Sequence, residues 1–132
     1  MNPKLSKIRQ IAITVSDVEH ALEFYRDVLG LAFLFSSGAN LAFLDAGGIR
    51  LMLTTPQGAG EVGKNSILYF QVTDIAAHYT ALISRGAAGE RSPALTAEMP
   101  DHELWTAFLR DPDGNLVGLM EEKLSIPGTC SG

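Results

Sequence analysis

Gln10-Ile11-Ala12-Ile13-Thr14-Val15-Ser16-Asp17-Val18 and Ile67-Leu68-Tyr69-Phe70-Gln71-Val72-Thr73-Asp74-Ile75 are two versions of one phrase, and their likeness decides how the chain is read. The step that carries Val15 to Val72 also carries Asp17 to Asp74 and Gln10 to Ile67. Each version is rich in β-branched and aromatic residues, then gives way to apolar residues at helical spacing. Residues 8–15 and 67–72 therefore read as strands, each followed by a helix. Ser16-Asp17-Val18-Glu19 fits a capping box with Ser16 as the cap. Val18, Ala21, Leu22, Tyr25 and Leu29 then form an apolar stripe that Gly30 ends. In the second version Ile75, Tyr79, Leu82 and Ile83 share a face, and Gly86 ends it.

Working outward, further strands are expected at 32–36, 41–45 and 49–54 in the first half. In the second half they are clear only at 105–110 and 115–121. Pro56 to Gly63 is rich in residues that break regular structure and reads as a linker. The fold class is α+β, with two βαβββ modules in a single domain. Module one covers about 7–56, the linker 57–63, module two about 64–122, and a C-terminal tail 123–132. Two copies indicate a duplicated unit and not a solenoid.

Composition excludes several classes. The 132 residues suit one domain, and 46% apolar with 19% charged residues is a globular profile. A net charge of -5 with no basic run argues against nucleic acid. No stretch approaches the roughly 20 apolar residues that cross a bilayer, and residues 1–10 lack the apolar core of a signal peptide. The single cysteine, Cys130, excludes an intrachain disulfide. A cytoplasmic location is the expectation.

Specific words narrow the fold further. Val15-Ser16-Asp17-Val18 with Phe24-Tyr25-Arg26-Asp27-Val28-Leu29-Gly30-Leu31 resembles the first-module signature of the vicinal oxygen chelate superfamily. Phe108-Leu109-Arg110-Asp111-Pro112-Asp113-Gly114-Asn115 resembles its closing hairpin. The resemblance runs from about Ile8 to Glu122, and that superfamily joins glyoxalase, bleomycin resistance proteins and dioxygenases. It implies that the two modules form a cupped mixed sheet. The signature residues also have an architectural reading, with Phe24, Tyr25 and Leu29 in packing and Asp111 to Asn115 in a turn.

The resemblance further implies a divalent metal, held inside the cup by His, Gln or Glu from four strands. Those positions fall here at Gln10, Met52, Ile67 and Gly118. Only Gln10 offers a ligand that suits a hard ion; a thioether suits copper(I), Ile67 has no donor atom and Gly118 has no side chain. The expectation is no metal and no other cofactor. Adjacent Glu121 should point away from Gly118, Glu122 should lie beyond the strand's end, and His102 and Glu103 should lie in a loop before residue 105.

Strand alternation puts Ile11, Ile13, Val15, Leu51, Leu53, Leu68, Phe70, Val72, Val117 and Leu119 under the helices. The opposite faces mix apolar bulk with a few polar groups, as small-molecule pockets do. The candidate ligand-binding residues are Gln10, Arg50, Met52, Tyr69, Gln71, His102, Trp105, Gly118 and Met120. Gly118 should leave room, Arg50 could meet an anion, and Trp105 either stacks on a planar ligand or fills a join between strand and helix. The expected function is a metal-independent small-molecule-binding protein resembling the bleomycin-resistance branch. The alternative is a glyoxalase-, epimerase- or dioxygenase-like enzyme with a divalent metal rearranged around Gln10 and His102 or Glu103. By resemblance, a symmetric homodimer is expected.

Overall fold

The computed structural model describes residues 3–56 and 60–124, so part of the expected linker, most of the expected tail and Cys130 lie outside the described residues. The chain divides between Asn65 and Ser66 into two compact units, and each is described by itself. The first holds β1 (Gln10–Thr14), α1 (Val18–Leu22), β2 (Ala32–Ser36), β3 (Leu41–Ala46) and β4 (Ile49–Thr54). The second holds β5 (Leu68–Gln71), α2 (Ile75–Ser84), β6 (Ala88–Glu98), β7 (His102–Arg110) and β8 (Leu116–Leu124). Both are βαβββ modules, and the α+β class read from the sequence holds.

The two sheets repeat one topology, β1-β4-β3-β2 and β5-β8-β7-β6. In each, the opening and closing strands of the module pair in parallel, and the remaining ladders are antiparallel. Such a parallel pair needs a crossover, which the helix and two intervening strands supply.

In the first unit, Ile13, Val15, Ala42, Leu44, Leu51 and Leu53 are buried with Val18, Ala21, Leu22, Phe24 and Tyr25. The helix cap differs from expectation. Asp17, one residue after Ser16, accepts the backbone N–H of His20 at 3.1 Å. After Leu22 the helix opens into a π-helical stretch, Glu23–Val28, with Leu29 N–H donating to Phe24 O at 2.9 Å. The wider winding buries the sequence neighbours Phe24 and Tyr25 together, their rings edge to face at 4.9 Å. Their packing role is as expected. Beyond the linker, the Asn65 amide bonds both the N–H and the C=O of Thr14, at 3.2 and 3.1 Å, acting as one more strand residue on β1.

In the second unit, Ile75 and Leu82 of α2 are buried with Ala107, Leu109, Val117 and Leu119. Leu68, Phe70 and Val72, expected in the core, are only half-buried, as is Ile11 in the first unit. Asp74 caps α2 in the left-handed region at φ 59°, where its carboxylate accepts from Ala77 N. Asp tolerates that conformation better than most residues. Glu121, pointing to the helix side of the sheet, accepts the N–H groups of Asp74 and Ile75 at 3.1 and 3.0 Å. A carboxylate there also faces the positive end of the helix dipole.

Three corrections concern strands. Residues 88–98, undefined in the sequence reading, form the eleven-residue strand β6. Its register against β7 slips three times, between Gly89 and Arg91, between Arg91 and Ala94, and between Leu95 and Ala97. Such bulges break the two-residue alternation by which a strand is recognised, and Pro93, which has no N–H to donate, lies inside the second. Next, β7 begins at His102 and not at 105. The turn Met99–His102, closed by Met99 N–H to His102 O at 2.8 Å, lets pairing start at once. Finally, β8 runs to Leu124, so Glu122 lies inside the strand and not beyond it. The closing turn is held by buried Asp111, whose carboxylate accepts from Asp113 N, Asn115 N and Asn115 Nδ2. Gly114 there takes φ 85°.

Candidate functional site

Sheet register assigns the candidate residues to rows. In the first unit, Gln10, Arg50 and Asp45 lie side by side, followed by Ala12, Met52, Phe43 and Phe35. Arg50 Nε donates to Gln10 Oε1 at 2.6 Å, and its guanidinium lies 5.5 Å from the Phe43 ring centre. The Gln10 amide nitrogen reaches Met52 Sδ at 3.7 Å. Gln10, Arg50 and Met52 are thus brought together on the face away from α1, with Phe43 and Phe35 stacked beside them at 4.6 Å.

In the second unit one row reads Tyr69, Gly118, Phe108, Arg91, and the next reads Gln71, Met120, Thr106, Ala94. Tyr69, Met120, Phe108, Thr106, Leu104, Arg91 and Thr96 line a cavity of about 310 Å³ on this face. Tyr69 and Phe108 meet edge to face at 5.7 Å and 74°, forming a corner of two aromatic walls. Arg91 lies over Phe108 with its guanidinium carbon 4.8 Å from the ring centre. Its Nη2 donates to Thr106 Oγ1, and the Thr106 and Thr96 hydroxyls bond to each other. A cation set over an aromatic ring and bonded to a hydroxyl is a directional charge.

Of the expected pocket residues in this unit, Tyr69 and Met120 line the cavity. Gly118 lies beneath it, but leaves no room: a Cβ built there would stand 2.7 Å from Tyr69 Cδ1 and 2.9 Å from Cε1. The Tyr69 ring occupies the space into which a side chain at 118 would project. Gln71 shares the face but is not a lining residue. Trp105 is on the other face. It pairs with Glu121 across the ladder, its Nε1 donates to Glu103 at 3.1 Å, and Lys123 Nζ sits 4.3 Å above its ring.

His102 is in strand, on the cavity side, with its side chain 16% exposed. Its Nδ1 meets Asp101 Oδ1 at 2.7 Å and its Nε2 meets Glu122 Oε2 at 2.9 Å. The hydrogen bond to His102 holds the Asp101 carboxyl below the usual carboxylate range. Likewise the Arg26 guanidinium beside Asp27 lowers that carboxyl.

Arg91, Thr96, Leu104, Thr106 and Phe108 were missed by sequence reasoning. Thr106 and Phe108 were within reach of it, since they alternate with the inward positions of a strand already placed at 105–110. Arg91 and Thr96 were not, because the bulges of β6 put residues of opposite parity on one face.

A family sequence model described as the Glyoxalase/Bleomycin resistance protein/Dioxygenase superfamily matches residues 7–119, most of the chain. The chain belongs to that superfamily. Among its relatives, the uncharacterized protein YraH of Bacillus subtilis (strain 168) is 28% identical over 127 residues, covering 84% of this chain and 94% of its own. A protein of Vibrio cholerae serotype O1 named "Probable lactoylglutathione lyase" is 27% identical, covering 92% of this chain and 95% of its own. The solved structure of TnmS3, an antibiotic binding protein from Streptomyces sp. CB03234, shares the fold. Its TM-score is 0.75 at 23% identity, with 92% of this chain and all of that one covered.

Superfamily membership raises the question of a metal, and the residues at the four corresponding positions do not fit one. The Gln10 amide is already engaged by Arg50 and Met52. Met52 presents a thioether, Ile67 is a half-exposed hydrocarbon, and at Gly118 the approach is filled by a phenol ring. A hard divalent ion requires several oxygen or imidazole donors. Among the described residues no group of three or more His, Cys, Asp or Glu side chains is arranged to hold one. No helix of the described residues is long and apolar enough to cross a membrane.

Proposed function

We propose that this member of the superfamily is a small-molecule-binding protein that works without a metal. The observation that carries the reading is the cavity on the second sheet. Tyr69, Phe108, Leu104 and Met120 wall it, and Arg91, Thr96 and Thr106 supply its polar points. Apolar walls with a few fixed polar groups, at a volume of this order, are the usual make-up of a ligand site. The antibiotic binding protein TnmS3, which shares this fold, supports the reading. A symmetric homodimer in the cytoplasm accompanies the proposal, and a sizing measurement that returned a strict monomer would refute the dimer.

The competing reading is a metal-dependent lyase, epimerase or dioxygenase. It draws on the relative named as a lactoylglutathione lyase and on His102 and Glu122, which stand together on the cavity side. One experiment separates the two: metal analysis of untagged protein alongside a thermal-shift screen of small molecules. Metal-free protein stabilised by planar or amphipathic compounds supports binding. Near-stoichiometric Mn, Fe, Ni or Zn that disappears in Gln10→Ala or His102→Ala would overturn it.

A further inference from the structure

The cavity carries a charge whose purpose the fold does not supply. Arg91 is exposed, yet it is not a loose surface arginine: its guanidinium sits over the Phe108 ring and Thr106 accepts from one of its nitrogens. Elsewhere Arg26 is paired with Asp27 and Arg110 with Glu90. Among the described residues no carboxylate lies within ion-pair distance of Arg91. Glu122, an acid on the same face of the sheet, is held by His102, and Glu90 by Arg110.

From this we infer that the ligand of the cavity is a planar aromatic anion, a carboxylate or a comparable oxyanion on a flat ring system, with Arg91 as its anion-binding residue. The inference rests on the binding reading given above and adds the ligand's class. The geometry favours each part of it. A flat ring entering the corner between Tyr69 and Phe108 can stack on one ring and meet the edge of the other. Leu104 and Met120 cover the remaining apolar surface. One guanidinium nitrogen is spent on Thr106, and the planar fork leaves further N–H groups for a carboxylate, which it matches two oxygens to two donors. Of the linked Thr96 and Thr106 hydroxyls, one spends its proton on the other, and the remaining proton can turn to donate to a second ligand oxygen.

The test uses matched probes on the full chain: 2-naphthoate, and the neutral isostere 2-naphthamide, titrated by calorimetry and by ligand-observed NMR. In the unmodified protein naphthoate should bind at least about tenfold more tightly than naphthamide, the scale of a charge-assisted hydrogen bond. Arg91→Gln should abolish that preference, weakening naphthoate about tenfold and naphthamide by less. Arg91→Lys, which keeps the charge but loses the fork and the stacking, should retain only part of it. Thermal melts of both variants establish that they are folded. Equal affinities in the unmodified protein, or a preference that survives Arg91→Gln, would overturn the inference and leave small-molecule binding standing. Failure of both probes, together with no hit in the thermal-shift screen, would overturn both.

Discussion

The ring of Tyr69 lies across the backbone of Gly118, close enough that a Cβ at 118 would stand 2.7 Å from Tyr69 Cδ1. The two residues face each other across the parallel β5–β8 ladder, so one cannot gain bulk unless the other moves. Gly118→Ala should cost about 1 kcal/mol by overpacking, a modest figure because the half-exposed ring can swing aside. In Tyr69→Ala the same substitution should cost almost nothing. Urea denaturation of the four proteins of this double-mutant cycle measures the coupling, and additive effects would show that the ring does not fill the site.

The N-terminus of α2 hangs on two carboxylates. Asp74 caps from within the chain and Glu121 caps from the sheet. Asp74→Ala should destabilise by about 1–2 kcal/mol, since it removes the cap and places a Cβ residue at φ 59° without a compensating side-chain bond. Asp74→Asn should be nearly neutral. Glu121→Ala should cost about 1 kcal/mol, with early amide-exchange gains in the first turn of α2.

Asp101 should titrate low because of His102. Its folded pKa is depressed, so the stability it contributes is complete above the unfolded carboxylate value and is lost as pH falls through the folded one. The side-chain carboxyl signal of Asp101, followed by carbon NMR, should therefore have its midpoint below the ordinary carboxylate range. In His102→Leu the midpoint should rise towards that range; no movement would show that His102 is not the cause.

Face assignment makes a spectroscopic prediction. On filling the cavity with an aromatic probe, the methyl resonance of Met120 and the ring resonances of Tyr69 and Phe108 should shift strongly by ring currents. The indole N–H of Trp105, bonded to Glu103 on the helix side, should barely respond. A dominant shift at Trp105 would place the ligand on the wrong face.

How much of this was legible in the sequence depended on whether side chains alternated cleanly. Where they did, in β1, β4 and β8, the buried set Ile13, Leu51, Leu53, Val117 and Leu119 was readable, and Glu121 was rightly turned away from Gly118. The matching phrases around Asp17 and Asp74 fixed the order of elements and the superfamily. What failed was local. The cap on α1 moved by one residue because a short Asp serves as well as Ser. His102 was assigned to a loop because a four-residue turn at Met99–His102 leaves almost no loop. The room expected at Gly118 was lost to a side chain on a neighbouring strand, which no single-strand pattern reveals. Arg91, the cation lining the cavity, stood in a strand with no readable period.

The three register slips of β6 have one more consequence. This is an outer strand of its sheet, eleven residues long and mostly exposed, with Leu95 among its uncovered side chains. A straight ribbon of that length would present an uninterrupted row of amides to any passing chain. The kinks and the missing hydrogen of Pro93 interrupt that row, so the irregularity that shapes the cavity face also blunts the edge against strand addition.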